Sequence, residues 1–388
     1  MTRISRLTLV SKSIVLVAAL AAAFSAHAQI KVGVSISTTG PAASLGIPEK
    51  NTFALVPNEI GGQKVQYIIL DDASDATQAV KNARKLISED KVDILIGSSV
   101  TPTSLAMLEV AAETETPMIT IAGAARIVEP MDAKRRWIFK TTQHDGQMAT
   151  AITQHMSNAG VKTMGFIGFA DAYGEGWYGE TSKFAPARKI KIVANERFAR
   201  TDTSVTGQVL KLMAANPDAI LIAGSGTPAA LPQKALRERG YKGKIYQTHG
   251  VANSDFLRVC GADCEGTFVP VGPMLVANQL PDSNPVKKTA LAYVNKYTAA
   301  HGKDSVSTFG GHAWDAAVLL EAAAKTALPK AKPGTREFRA ALRDSLEGIK
   351  NVTASHGVFN MSPTNHQGLD QRSQVMVKIE KGAWKYVP

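Results

Sequence analysis

Val92-Asp-Ile-Leu-Ile-Gly-Ser-Ser-Val-Thr-Pro-Thr-Ser-Leu-Ala-Met107 is the stretch of this chain that says most about its fold. We predict a buried β-strand over Val92–Ile96, a turn rich in Gly and Ser, and a helix that begins at about Thr101. Helix N-termini carry unpaired N–H groups and a partial positive charge, so they attract anions. The hydroxyls of Ser98, Ser99 and Thr101 add hydrogen-bond donors. The same residues are also good helix caps, so the turn alone leaves both interpretations open.

Short apolar strands alternate with helices on both sides of this stretch. Predicted strands cover Ile30–Ser37, Val65–Leu70, Val92–Ile96, Pro117–Ile121, Trp137–Lys140, Thr163–Phe169, Lys191–Phe198, Ala219–Ala223 and Lys244–Thr248, and Gln374–Trp384 alternates in part like an edge strand. Predicted helices cover Glu49–Ile60, Asp75–Glu89, Thr101–Thr114, Gln147–Ala159, Gly176–Ala187, Val205–Ala215, Pro228–Arg239, Asn284–His301 and Phe309–Ala327. This alternation is typical of parallel sheets covered by helices on both faces, and predicts an α/β fold.

The first 28 residues have the pattern of an export signal. Arg3, Arg6 and Lys12 precede a short apolar run, and Ala26-His27-Ala28 is a small-x-small cleavage site. The run is shorter than the roughly 20 apolar residues of a transmembrane helix. We therefore expect cleavage after Ala28, no lipid anchor at the new N-terminus, and a periplasmic protein.

The mature chain is too long for one ordinary hydrophobic core, which favours two domains. Loss of the three basic signal residues lowers the formal net charge from +11 to +8. The basic residues are scattered and aromatic residues do not interleave with them, so a solvated surface is favoured over nucleic-acid binding.

Cys260 and Cys264 are the two cysteines of the chain. In an oxidising compartment we expect them to form a small, structural disulfide loop. No metal ligand set accompanies them, and we predict neither a metal site nor a cofactor. The sequence also lacks the usual motifs of nucleotide, zinc and serine-hydrolase chemistry, which disfavours an enzyme. Asp71 and Asp72 follow each other at a strand end and are expected on opposite faces, so shared acid–base work is not predicted.

Several motifs occur in an order that a known family shares. They are Ile30-Lys-Val-Gly-Val34, Thr39-Gly-Pro-Ala-Ala-Ser-Leu-Gly46, Asp71-Asp-Ala-Ser-Asp-Ala-Thr-Gln-Ala-Val80, Leu95-Ile-Gly-Ser-Ser99, Pro117-Met-Ile-Thr120, Asp171-Ala-Tyr-Gly-Glu-Gly176 and Gly311-His-Ala-Trp-Asp-Ala-Ala317. With them the chain resembles the type I periplasmic substrate-binding proteins of ABC importers, and more closely the leucine/isoleucine/valine-binding family. The resemblance implies two doubly wound lobes, joined by a three-strand hinge, with the ligand cleft between them. We expect lobe 1 to comprise residues 29–141 and 273–353, and lobe 2 residues 142–272 and 354–388.

The resemblance also implies where a ligand is held. Ser99 and Val100 match backbone contacts, and Thr101 matches the hydroxyl that binds a ligand carboxylate. Tyr173 matches an aromatic contributed by the second lobe, although a tyrosine that caps the following helix fits the same position. Phe309 matches an aromatic against the ligand side chain, with plain core packing as the alternative. Gly123 and Gly226 are further candidates, in turns that follow strands.

Two positions depart from the family pattern of amino-acid binders. Such proteins hold the α-ammonium group with an acidic residue and a Thr, where this chain has His249 and Ala124. An ammonium in a dry site needs an acceptor, preferably a charged one. A turn histidine exposed at the lobe edge is the alternative for His249. The departures favour a small carboxylate, such as an aromatic acid, over leucine, isoleucine or valine.

The predicted function is therefore that of a monomeric binding protein. It captures a small carboxylated solute by lobe closure and delivers it to the membrane permease of an ABC importer. Binding of branched-chain or other amino acids, and partnership with a membrane sensor, remain the alternatives.

Overall fold

The computed structural model describes residues 29–302 and 304–388, and the predicted signal peptide, residues 1–28, lies outside the described residues. The described strands are β1 (Ile30–Ile36), β2 (Glu59–Ile60), β3 (Gln63–Asp71), β4 (Ile94–Gly97), β5 (Met118–Thr120), β6 (Ile138–Lys140), β7 (Thr163–Phe169), β8 (Lys191–Phe198), β9 (Ala219–Ala223), β10 (Lys244–Gln247), β11 (Phe268–Val271), β12 (Val352–Thr353), β13 (Val358–Phe359), β14 (Val375–Glu380) and β15 (Ala383–Val387).

The described α-helices are α1 (Ala43–Phe53), α2 (Ala76–Ser88), α3 (Thr101–Glu113), α4 (Asp145–Asn158), α5 (Ala172–Phe184), α6 (Thr206–Ala214), α7 (Ala230–Glu238), α8 (Ser254–Cys260), α9 (Lys287–His301), α10 (Thr308–Ala327) and α11 (Arg336–Glu347). Short 3-10 helices occupy several connections, among them Gly40–Ala42, Thr227–Ala229 and His249–Val251.

Two large sheets form the centres of two lobes. The first has the order β2-β3-β1-β4-β5-β6 and the second β15-β14-β11-β10-β9-β7-β8. Strands β3, β1, β4, β5 and β6 pair in parallel, as do β8, β7, β9, β10 and β11. Antiparallel strands stand only at the described edges. The predicted α/β fold of two doubly wound lobes is confirmed.

Apolar runs cover both faces of each sheet because each central strand is buried on both sides. In the first lobe, Ile30, Val32 and Val34 of β1 are fully buried. In the second, every residue of β9 is buried. Helix α2 begins where the sequence predicts, since Asp75 accepts a hydrogen bond from the amide of Gln78 at 2.7 Å and so caps its N-terminus.

The helix predicted over Glu49–Ile60 is wrong in its bounds. Helix α1 runs from Ala43 to Phe53, with Pro48 inside it. An interior proline costs a helix about 3 kcal/mol, which is why the sequence favours a start after it. Burial of Leu45 and Phe53 in the hydrophobic clusters of the first lobe offsets this cost.

Three chain segments connect the lobes and meet at one place. A Cβ on Gly272 would lie 2.8 Å from Nε2 of Gln143, so the first two segments are in close contact. The side chain of Gln143 donates to the carbonyl of Ser373 at 2.7 Å. These contacts form the hinge.

The third segment that connects the lobes lies later in the chain than we predict from the sequence. Phe359, Met361 and Leu369 belong to the hydrophobic core of the first lobe, together with β1. Val377 of β14 instead packs in a core of the second lobe. Because buried contacts define a lobe, we place this boundary after Leu369 rather than at residue 354.

The disulfide between Cys260 and Cys264 is present, as predicted, with Cα atoms 5.6 Å apart. Both cysteines are buried in a core cluster of the second lobe. Within residues 29–302 and 304–388, no helix combines the length and apolarity that crossing a membrane requires.

Candidate functional site

A small cavity of about 20 Å³ lies between the lobes. Its walls come from turns after strand ends, where ligands bind in doubly wound folds, and from the start of α10. The lining residues are Leu45, Ser99, Val100, Thr101, Ile121, Gly123, Thr142, Tyr173, Arg200, Ser225, His249, Gly250 and Phe309.

The lobes are closed upon each other around this cavity. A Cβ on Gly226, in the second lobe, would lie 2.7 Å from the hydroxyl oxygen of Ser44, in the first. Gly226 therefore contacts the opposite lobe and is not among the residues that line the cavity. Its predicted role in direct ligand contact is not supported by its placement.

The start of α3, where the sequence predicts an anion site, lies at the cavity. Thr101 is the first residue of the helix and is 1% exposed. Its Oγ1 is buried and has no hydrogen-bond partner among the described residues. In the first helical turn Pro102 has no N–H group and the Ser104 amide donates to the carbonyl of Val100 at 3.0 Å, which leaves the amides of Thr101 and Thr103 without an intrahelical acceptor. The Thr101 hydroxyl and these amides lie together at the start of the helix, where Thr101 lines the cavity.

The neighbouring serines have other roles. The hydroxyl of Ser98 donates to Asp72 at 2.6 Å and its amide to Ser104 at 3.0 Å, so Ser98 points into the protein and the expected anion contact is wrong. The hydroxyl of Ser99 donates to the buried carboxyl of Glu49. Ser99 therefore retains only its backbone for a ligand. Burial raises the pKa of Glu49 well above its usual range, although the Ser99 hydrogen bond opposes this.

Asp71 and Asp72 act separately, as predicted. Asp71 accepts from the amide of Thr38 at 2.9 Å and from the hydroxyl of Thr39 at 2.6 Å, which fixes an exposed turn. Asp72 is fully buried and accepts from Ser37 at 2.6 Å as well as from Ser98.

Tyr173 forms part of the second-lobe wall. The N-terminus of its helix is capped by Asp171, which accepts from the amides of Tyr173 and Gly174, so Tyr173 is not the cap. Its hydroxyl lies 2.8 Å from Oγ1 of Thr248. Burial raises the pKa of the phenol, which therefore stays neutral.

His249 is buried in the cavity wall and only 3% exposed, so the alternative of an exposed turn histidine is wrong. Burial, with the nearby charge of Lys140, lowers its pKa to about 3. The ring is neutral at physiological pH. Its Nδ1 is buried with no hydrogen-bond partner in the part of the chain that the structure describes.

Ala124 lies elsewhere than the sequence implied. It is fully buried in a hydrophobic cluster of the first lobe and does not line the cavity, whereas its neighbour Gly123 does. The absence of a hydroxyl at position 124 therefore has no direct bearing on the cavity in this closed form.

Phe309 packs in an apolar cluster and also lines the cavity, so its contact with a ligand stays a prediction. It follows the helix cap Ser307, whose hydroxyl accepts from the Phe309 amide at 3.2 Å. Its ring packs with Ala42, Leu45 and Val100 in a small apolar cluster, and that cluster lines the cavity.

Arg200 is a cavity residue that the sequence did not single out, whereas Ser225 lies in a turn after a predicted strand, Gly224–Thr227, where contacts were expected. Arg200 follows β8 and donates from Nε to Asp171 at 2.6 Å and from Nη1 to Ser225 at 2.9 Å. The sequence did contain one indication for Arg200. It lies two residues after the predicted strand Lys191–Phe198, and ligands in doubly wound folds bind beyond the ends of strands.

Lys140 lies behind the cavity wall. Its ammonium group donates to the carbonyl oxygen of Gly123 and stands 3.3 Å from Nδ1 of His144. Complete burial lowers its pKa to about 7, although Asp145 and Glu129 oppose the shift. The chain thus places a titratable cation next to the site.

His312, Asp315 and His356 form a buried group whose donor atoms are close enough to hold a metal ion. His356 is already bonded, however, through Nε2 to Thr308 at 2.9 Å and through Nδ1 to Asp315 at 3.1 Å. A metal ion would have to displace one of these bonds, so the group fits a structural network at the hinge better than a metal centre.

A family model of periplasmic binding proteins matches residues 29–383. The chain belongs to this family. Periplasmic binding proteins of this type bind solutes and are not enzymes, which confirms that prediction. The chain is a solute-binding protein of the branched-chain amino acid type of ABC transporter.

Three proteins with known names or structures are similar to this chain. The Leu/Ile/Val-binding protein BraC3 of Rhizobium johnstonii is 25% identical, over 97% of this chain and 98% of its own length. An extracellular ligand-binding receptor from Rhodopseudomonas palustris HaA2 is 49% identical, over 93% of this chain and all of that one, with a TM-score of 0.90. A solute-binding protein from Rhodopseudomonas palustris BisB5, solved with 3,4-dihydroxybenzoic acid, is 21% identical over 92% and 96% of the two chains, with a TM-score of 0.78.

Proposed function

We propose that this periplasmic binding protein captures a small carboxylic acid that has no α-ammonium group and delivers it to the permease of an ABC importer. One observation carries the proposal. Thr101 offers a buried, unpartnered hydroxyl at a helix N-terminus, in a cavity where none of the described lining residues is acidic. The cavity provides for a negative charge and not for a positive one.

The absence of an acidic side chain among the described lining residues favours carboxylate ligands over amino acids. An α-ammonium group buried in the closed cavity would need an acceptor that replaces water. A neutral His249 offers at most one nitrogen lone pair. Lys140, behind Gly123, adds a positive charge that would repel an ammonium group when protonated.

The apolar part of the wall favours a flat or aliphatic body. Leu45, Val100 and Phe309 form one side of the cavity, and Tyr173 lies in the opposite lobe. Aromatic rings pack well against such side chains, so aromatic acids are the favoured class.

The fold itself does not select the ligand. The relative BraC3 is named for leucine, isoleucine and valine, whereas the BisB5 neighbour holds 3,4-dihydroxybenzoic acid. BraC3 is 25% identical to this chain and the BisB5 protein 21% identical, and sequence identities this low do not show that a ligand is shared. Binding of a branched-chain amino acid is therefore the second candidate, and it rests on family membership alone.

Export and partnership complete the proposal. We expect signal cleavage after Ala28, release into the periplasm as a monomer, and docking of the closed form on a membrane permease. Loss of uptake of the acid in a strain that lacks the gene would support import. If the partner is instead a membrane sensor, the same deletion should leave uptake intact and abolish the transcriptional response to the acid.

A ligand screen tests the proposal directly. Thermal shift of the mature protein is measured with benzoate and related acids, and with leucine, isoleucine and valine. A ligand at a hundredfold excess over its dissociation constant stabilises the folded state by about 2.7 kcal/mol. We expect shifts with acids alone. Shifts with leucine or valine and with no acid lacking an amine would overturn the proposal.

His249→Glu sharpens the screen because it changes the charge of the wall at one position. A carboxylate there repels an acid and offers an acceptor to an ammonium group. We expect weaker binding of benzoate-type acids in this variant than in the neutral control His249→Gln. Equal binding in the two variants would place the ligand away from His249.

A further inference from the structure

Arg200 lines the cavity, and its side chain has an unused hydrogen-bonding group. Two of its three nitrogens are engaged, by Asp171 and by Ser225. The third, Nη2, is buried and has no hydrogen-bond partner among the described residues. The guanidinium carbon lies 4.1 Å from the centroid of the Phe169 ring, and only 13% of the side chain is exposed.

This arrangement fixes the guanidinium group in place. Asp171 is itself held as the cap of α5, and the Phe169 ring supports the guanidinium plane. A buried N–H group of a charged side chain that lacks a partner costs free energy, since its hydration is lost without replacement. A partner from outside the chain would recover that loss.

We propose that Arg200 binds a second oxygen of the ligand, at the end opposite its carboxylate. The inference rests on the proposed function, in which the carboxylate is held at Thr101. Thr101 belongs to the first lobe, whereas Arg200 and Ser225 belong to the second, and all three line the same cavity. A ligand that reaches both walls is held by polar groups at its two ends.

The charges around Arg200 favour a neutral oxygen on the ligand over a second carboxylate. The positive charge of Arg200 is already paired with Asp171 at 2.6 Å. A neutral hydroxyl or keto oxygen accepts from Nη2 without adding net charge to the interior, whereas a second carboxylate leaves an uncompensated negative charge there. The ligand class is therefore a carboxylic acid with a distal hydroxyl or keto group.

Calorimetric titration of the mature protein with benzoate, 3-hydroxybenzoate, 4-hydroxybenzoate and terephthalate tests the inference. We expect the better hydroxybenzoate to bind about tenfold more tightly than benzoate, the gain of one charge-assisted hydrogen bond. Terephthalate is expected to bind more weakly than that hydroxybenzoate. In Arg200→Gln the preference for the hydroxybenzoate over benzoate should fall to nearly one.

Arg197→Gln is the matched control. Arg197 is also an arginine of the second lobe that pairs with a carboxylate, Glu175, at 2.5 Å and lies over aromatic rings, but it does not line the cavity. This variant should keep the preference. Arg200→Lys retains a cation for Asp171 but lacks the forked N–H groups, and should lose the preference even if the glutamine variant folds poorly.

The outcomes separate the two proposals. Equal affinity of the wild-type protein for benzoate and both hydroxybenzoates overturns the role of Arg200 and leaves the proposed function standing. An equal loss for all acids in Arg200→Gln shows that Arg200 holds the first carboxylate, which also overturns the inference. Binding of none of the acids by the wild-type protein overturns the proposed function, and the inference with it.

Discussion

Gly123 of the first lobe lies directly against His249 of the second, so that a Cβ added to Gly123 would be 2.7 Å from Nε2 of the imidazole ring. A real Cβ does not come so close to a ring nitrogen, and the same Cβ would also lie 3.7 Å from the Tyr173 ring. The two residues belong to turns on opposite sides of the cleft. Glycine at position 123 thus permits full closure.

Gly123→Ala should weaken ligand binding by hindering closure. Overpacking of a close contact costs about 1–3 kcal/mol, and the cost here falls on the closed form only. Gly179→Ala is the control, because Gly179 lies in α5 of the second lobe and a Cβ there meets nothing within 4 Å in the described structure. Calorimetry with the identified ligand measures both variants; equal affinities would contradict the close contact.

Thr101→Val should weaken every carboxylate ligand. The change keeps the shape of the side chain and removes the buried hydroxyl that lies at the start of α3. Loss of a hydrogen bond to a charged group costs about 1.5–3 kcal/mol. The measurement is the dissociation constant for several acids.

Thr181→Val serves as the comparison for Thr101→Val. Thr181 is also a buried helical threonine whose hydroxyl has no partner within the described residues, but it lies outside the cavity. Its replacement should leave the dissociation constant unaltered. A similar loss in both variants would point to a general effect of helix destabilisation.

Lys140 predicts a pH dependence of binding. Its pKa of about 7 arises from burial, and its ammonium group donates to the carbonyl of Gly123 in the cavity wall. Loss of the proton removes an attractive charge, so affinity for an acid should fall severalfold between pH 6 and pH 8. His249, with a pKa of about 3, does not titrate in this range. Dissociation constants across pH check the trend.

Lys140→Met tests the origin of this dependence, because it should flatten the pH profile. Stability provides an independent readout. The folded-state pKa of about 7 lies below the value of about 10.4 for an unfolded lysine, so the unfolded chain binds more protons between these values. The group therefore makes the free energy of unfolding rise with pH over that window. An unchanged profile in the variant would assign the dependence to another group.

The disulfide should contribute to stability and not to binding. Cys260 and Cys264 close a loop of five residues at the end of α8. The chain-entropy relation gives about 2 kcal/mol for so short a loop. Cys260→Ala with Cys264→Ala should lower the free energy of unfolding by this amount in denaturant titrations, with ligand affinity retained. A large loss of affinity would reveal coupling to the cleft.

Local sequence signals predicted most elements but not all. Asp75 marks the start of α2 because a cap acts within one turn of chain. Helix α11 was missed, although Thr335 caps it by accepting from the amide of Phe338 at 3.1 Å. Its apolar residues Phe338, Leu342 and Leu346 face the first-lobe core, a spacing that the sequence displays.

The sequence predicted which turns line the cavity, but not the direction of every side chain in those turns. Thr101, Tyr173, His249 and Phe309 line the cavity as expected, because turns after parallel strands converge at one edge of each sheet. Ser98 and Ala124 occupy the same turns and face the interior. Whether a turn side chain points to the cavity or to the interior can differ between adjacent residues. For Ser98 it depends on a hydrogen bond to Asp72, which is distant in the sequence.

The sequence by itself determined the alternation of strands and helices, the family, and the position of the Thr101 helix start. These follow from patterns that act over a few residues. Only the tertiary structure decided that Arg200 reaches the cavity, that His249 is buried and neutral, and that Lys140 lies behind Gly123. Burial and charge balance depend on contacts between the two lobes, and those contacts exist only once the chain has folded.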